Sequence, residues 1–147
     1  MIKYLLDTNV VSEAIKTRPN GNVMKKLEKH QDEMATAVIV WHELQFGYRR
    51  LPASRKRSLI KTYLEEVVAQ SLEILLYDRA AAEWHADQRA RLTAAGQTPS
   101  FADGQIAAIA NVNRLTLVTR NTCLLYTSPS PRDELADLVC RLLLEKG

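Results

Sequence analysis

The sequence predicts an α/β fold with a mostly parallel sheet flanked by helices. Two observations carry that expectation. Short apolar runs alternate along the chain with segments of helical period, which is the pattern of strand–helix–strand units. The first run, Met1-Ile-Lys-Tyr-Leu-Leu6, has little polar alternation, as in a strand buried on both faces of a parallel sheet.

Each element follows in order. Ile2–Leu6 is the first predicted strand, and Asp7-Thr-Asn9 supplies turn and N-cap chemistry for a short helix near Val10–Lys16. Arg18-Pro-Asn-Gly21 breaks the chain. Val23, Leu27 and His30 mark one face of a helix from about 21 to 31, and Met34–Ala37 reads as a second strand. A helix over 38–49 carries Val40, Glu43, Leu44 and Gly47. After the link Leu51-Pro-Ala-Ser54, Ser54 caps a helix to about Ala69, with Leu59, Ile60, Tyr63, Leu64 and Val67 as its apolar face. Leu72–Tyr77 is a third strand, Asp78 caps a helix over 79–95, and Gly96-Gln-Thr-Pro99 breaks the chain again. Ser100 precedes a helix bearing Ile106, Ala107, Ile109 and Ala110, and Thr116–Thr119 is a fourth strand.

At 147 residues the chain fits one domain, and 46% hydrophobic with 25% charged residues are globular proportions. No apolar run reaches membrane-spanning length and no leader pattern is visible, so the expectation is a cytoplasmic protein without a membrane partner. A formal charge of +3 is compatible with a nucleic-acid partner without requiring one. Arg49, Arg50, Arg55, Lys56, Arg57 and Lys61 form a basic stretch with two readings: a solvated link, or contact with phosphates or an acidic peptide.

Residues 123–147 read differently from the rest. Cys123–Asp133 resembles one frame of a transposase-type sequencing adapter, and Asp137–Leu144 resembles the distal end of the same adapter. The expectation is that 1–122 is the domain, C-terminally truncated, and that 123–147 is a non-native tail. That tail holds both cysteines, Cys123 and Cys140. A helix over Glu134–Glu145 and poor order over 123–133 are expected there.

Three carboxylates in separate segments are the candidate site: Asp7, Glu43 and Asp103. Brought together they make an oxygen-only pocket, which suits Mg²⁺ or Mn²⁺ rather than zinc or copper. Such ions serve phosphodiester hydrolysis. Each residue has an ordinary alternative. Asp7 also fits an N-cap, Asp103 a capping box with Ser100, and Glu43 a partly exposed helical glutamate. Asn121, after the last strand, offers a fourth polar group or a plain turn residue. His30, His42 and His85 lack metal-ligand spacing, and there is no glycine-rich phosphate loop or nucleophile elbow.

Four segments carry a family resemblance: Leu6-Asp-Thr-Asn-Val-Val-Ser-Glu13, Trp41-His-Glu-Leu-Gln-Phe-Gly47, Phe101-Ala-Asp-Gly-Gln-Ile-Ala107 and Leu117-Val-Thr-Arg-Asn-Thr122. Their order and spacing resemble PIN-domain nucleases, most closely the VapC and FitB type toxins of toxin–antitoxin pairs. The resemblance implies a three-layer fold with four or five strands and an acidic triad of Asp7, Glu43 and Asp103, joined by Asn121. It implies Asp7 and Asp103 as direct metal ligands, with Glu43 a ligand or the orienter of a water. It also implies Mg²⁺- or Mn²⁺-dependent cleavage of RNA, often tRNA or ribosomal RNA. Homodimers and a cognate antitoxin whose C-terminal peptide covers the acidic pocket are implied as well. A haloacid-dehalogenase-like phosphatase also starts with a strand and an aspartate, but needs a second aspartate where Asn9 stands. A binding protein that keeps the fold without chemistry is the other rival.

Overall fold

A computed structural model of the chain describes residues 1–16, 18–98 and 100–119. Asn121 and the whole of 123–147, with the helix expected there, lie outside the described residues.

The sheet has four strands among the described residues, β1 (Tyr4–Leu6), β2 (Met34–Ala37), β3 (Glu73–Leu75) and β4 (Thr116–Val118). Their order is β3-β2-β1-β4 and every pairing is parallel. This is the predicted α/β architecture. β1 is interior, and Tyr4, Leu5 and Leu6 are all buried, as the unbroken apolar run required. β2 has its expected bounds, and the other three strands are shorter than expected. Lys3 still takes part: its N–H donates to Glu33 O at 2.8 Å, and its carbonyl accepts from Thr116 N at 2.9 Å.

The helices are α1 (Thr8–Val11), α2 (Gly21–Lys29), α3 (Val38–Arg49), α4 (Arg55–Thr62), α5 (Ala69–Ser71), α6 (Arg79–Ala94) and α7 (Phe101–Val112). Predicted caps are in place. Ser54 Oγ accepts from Arg57 N, and Asp78 Oδ1 accepts from Ala81 N. At the end of α6 the chain reverses through Gly96, whose φ of 80° suits glycine; Gln97 N–H then closes back on Leu92 O at 2.8 Å. The helix expected near Val10–Lys16 differs: α1 tightens after one turn into a 3₁₀ segment, Ser12–Ile15.

A second difference lies between α4 and α5. Tyr63–Val68 is π-helical. The wider turn rotates the following residues, so the buried pair is Leu64 and Val68. Leu59 and Val67, expected on the apolar face, are exposed. Tyr63 uses the altered register to donate its hydroxyl to Val11 O at 2.7 Å, tying this helix to α1.

The core is continuous from β1 through α3 to α7. In α7 a run from Ile106 to Ala110 is buried, so small alanines let that helix approach the sheet closely. No helix among the described residues is long and apolar enough to cross a membrane.

Strand order fixes where a site can form. The connections β1→β2→β3 step one way along the sheet, and β3→β4 steps back past both. Right-handed crossovers place oppositely directed connections on opposite faces. A crevice therefore opens beyond the carboxyl ends of β1 and β4, where the direction reverses, and open parallel sheets bind ligands at such a point.

Candidate functional site

Asp7 follows β1 at that crevice. Its backbone N–H donates to Val118 O at 3.0 Å, continuing the ladder one residue past the strand. Its Oδ1 accepts from Thr8 N at 2.7 Å, so Asp7 is the N-cap of α1, as its ordinary alternative required. The other oxygen, Oδ2, accepts from Thr119 Oγ1 at 2.7 Å. Capping and site membership are therefore held together in one side chain.

Glu43 reaches the same place from the exposed side of α3. Its Oε2 accepts from Thr8 Oγ1 at 2.7 Å. Thr8 thus links two of the three carboxylates, its N–H on Asp7 and its hydroxyl on Glu43.

Asp103 sits in the first turn of α7. Ser100 Oγ accepts from Asp103 N at 3.3 Å, which is half of the predicted capping box. The returning bond from Ser100 N to the Asp103 carboxylate is not made among the described residues. That carboxylate instead faces its two acidic partners. Burial first, then the charges of Asp7 and Glu43, hold the Asp103 carboxyl above the usual aspartate range.

The structure therefore brings Asp7, Glu43 and Asp103 into electrostatic contact from three separate elements. It does not close them into a three-ligand cage: among the described residues, no three acidic, histidine or cysteine groups stand close enough to hold one ion. The donor chemistry nonetheless fits Mg²⁺, which usually takes one or two carboxylates and completes its shell with waters and substrate phosphates. Clustered negative charge that raises the pKa of one member is a further fit to a cation. Two of the histidines are engaged elsewhere. His30 bonds Glu33 at 2.8 Å, and buried His85 bonds Tyr77 at 2.9 Å. Burial, and then Arg89, lower the His85 pKa.

Two residues of the site escaped the sequence reading, Thr8 and Thr119. Both lie inside quoted motifs. A hydroxyl directly beside a strand-end aspartate, and another at the end of the strand paired with it, is the signal that would have found them.

With this geometry in hand, the comparisons are specific. A family model described as PIN domain matches residues 4–126. The chain is 33% identical over 121 residues to "VapC ribonuclease Y4jK" of Sinorhizobium fredii, spanning 80% of this chain and 86% of the relative. It is 34% identical over 122 residues to "Toxin FitB" of Neisseria gonorrhoeae, spanning 80% and 87%. Among solved structures, DNA-bound VapBC from Salmonella typhimurium superposes with a TM-score of 0.76 at 28% identity, covering 90% of this chain and 96% of that one.

Proposed function

The chain belongs to the PIN domain family, and on that premise we propose that it is the toxin of a toxin–antitoxin pair, a Mg²⁺-dependent endoribonuclease. One observation carries the reading. Three carboxylates, after β1, on α3 and in the first turn of α7, stand at the reversal point of a parallel sheet, with Asp7 and Glu43 joined through Thr8. The ribonuclease and toxin names of relatives above 30% identity support it.

The residues divide the work. Asp7 and Asp103 are the pair that would hold Mg²⁺ or Mn²⁺, with Glu43 a further ligand or the group that orients a nearby water. Held there, such an ion would supply charge neutralisation at the phosphate and a lowered pKa for an attacking water. Thr119 and Thr8 fix the rotamers of Asp7 and Glu43, so the carboxylates need little reorganisation as substrate arrives. Asn121 would assist through hydrogen bonds. The substrate is RNA, with tRNA and ribosomal RNA the first classes to test.

A cognate antitoxin, supported by the VapBC complex of the Salmonella structure, and a homodimer complete the proposal. An apolar groove of about 340 Å³ beside α1 and α2, lined by Val10, Val11, Met24, Leu27, Tyr63 and Val67, can receive apolar side chains of a partner.

Cleavage of tRNA and ribosomal RNA by the purified chain, with Mg²⁺ and with chelator, tests the reading. We expect cleavage only with the ion, and a loss of about a hundredfold or more in Asp7→Asn. Full-rate cleavage by Asp7→Asn in Mg²⁺ would sink it.

A further inference from the structure

From the exposed ridge of α3 we infer that RNA leaves the acidic pocket along Glu43, Phe46 and Arg50, with an unpaired base stacked at Phe46 and its phosphates on the arginines of the α3–α4 link. The inference rests on the nuclease reading and adds to it a path for the RNA across α3.

Helical spacing sets the ridge. Residues 43, 46 and 50 lie one turn apart on one face, so the ridge runs about 10 Å from the carboxylate to the guanidinium. All three are exposed. Phe46 is 58% exposed on a helix whose other face packs Val40, Leu44 and Tyr48 into the core. The ring borders His42, at 6.4 Å between centroids, and its remaining exposed surface, one turn from the acidic pocket, has apolar area to gain from a base.

Arginines flank the ridge, Arg50 on it and Arg49 and Arg57 beside it over a ring that the core face of α3 holds. The Arg50 Cζ lies 5.4 Å from the Phe46 ring centroid. Arg49 and Arg57, from α3 and α4, both lie over the Tyr48 ring, at 5.2 and 5.4 Å. The ring contacts pre-position these cations and bring like charges together from two helices. Among the described residues none of Arg49, Arg50, Arg55, Lys56, Arg57 or Lys61 forms an ion pair, whereas Arg79 and Arg91 on α6 are paired along their own helix. Clustered cations with no internal counter-charge suit a polyanion. That complementarity favours RNA over a second copy of this chain, whose matching face would bring the same positive charges.

The test is fluorescence anisotropy with an unstructured single-stranded RNA oligonucleotide. The whole chain carries Asp7→Asn, so that the probe stays intact in Mg²⁺. On that background Phe46→Leu should weaken binding about tenfold with the salt dependence unchanged, and Phe46→Trp should restore it. Arg49→Gln with Arg50→Gln should weaken binding and reduce the log–log salt slope by about 1.4, or about 0.7 per charge removed. Arg91→Gln, on α6, should bind as the parent does. Circular dichroism melts confirm the fold of each variant. If the parent binds RNA and the ridge variants bind it equally well, the ridge assignment is overturned and the nuclease reading stands. Loss of self-association in those variants at unchanged RNA affinity also overturns it, and assigns the ridge to contact between copies. A parent that binds no RNA overturns this inference, and the nuclease reading falls with it only if the unsubstituted chain also cleaves no RNA in Mg²⁺.

Discussion

Thr119 Oγ1 donates to Asp7 Oδ2 at 2.7 Å across 112 residues of sequence. The bond joins the ends of two neighbouring parallel strands and fixes the first carboxylate of the acidic pocket. A group that orients a metal ligand typically contributes 10–100-fold in metal affinity. Thr119→Val keeps the shape and removes the hydroxyl. The Mg²⁺ concentration for half-maximal cleavage should rise at least about tenfold, with the rate at saturating ion little changed. Thr119→Ser should behave as the parent does. A Thr119→Val protein with an unaltered Mg²⁺ titration would show that Asp7 needs no such support.

Asp103 sets activity against stability. Its raised pKa comes from burial and from Asp7 and Glu43. A carboxyl whose folded pKa exceeds its unfolded value binds protons more tightly in the native state. The metal-free fold therefore loses stability as pH rises from the ordinary aspartate range through the raised pKa, and the deficit persists at neutral pH. Asp103→Asn removes the charge. It should melt above the parent at pH 7 in chelator, with the advantage vanishing near pH 3. Cleavage should fall about a hundredfold or more. Mg²⁺ should raise the parent's melting temperature and shift the variant's less. Identical melting of the two proteins at pH 7 without metal would contradict the electrostatic account of the pocket.

Tyr63 tests the π-helical turn. Its hydroxyl donates to Val11 O at 2.7 Å, and burial raises its pKa, so the donor proton is retained across the neutral range. Tyr63→Phe should cost about 0.5–1.5 kcal/mol. The urea midpoint should drop without a change in m, since the surface exposed on unfolding is the same. No shift in the midpoint would mean that the link between this helix and α1 carries no stability.

Much of this was legible before the structure. β1 was readable because an unbroken apolar run ending in aspartate is hard to place anywhere but the middle of a parallel sheet. The caps at Ser54, Asp78 and Ser100 were readable because side-chain capping is local chemistry. The apolar face of the 54–69 helix was misjudged at Val67, since a 3.6-residue period cannot anticipate the π turn that buries Val68 instead. The carboxylates could be named from their motifs. Their spacing could not, because it depends on where α3 and α7 dock, and the closed three-ligand set did not appear among the described residues. Thr8 and Thr119 were hidden for a simpler reason: threonine at a strand end is common, and only the pairing of β1 with β4 makes Thr119 a partner of Asp7.

The pairing of Tyr4–Leu6 with Thr116–Val118 also governs when the enzyme can come into being. A nascent chain emerges from the ribosome with β1 first, and β1 waits for nearly the whole domain before its second neighbour exists. The pocket cannot be finished until Thr119 is outside the exit tunnel and the late strand has docked. Long-range parallel pairing of this kind is slow to form. Synthesis itself therefore imposes a delay on hydrolysis, and a nascent chain interrupted before β4 would carry Asp7, Glu43 and Asp103 without an assembled site.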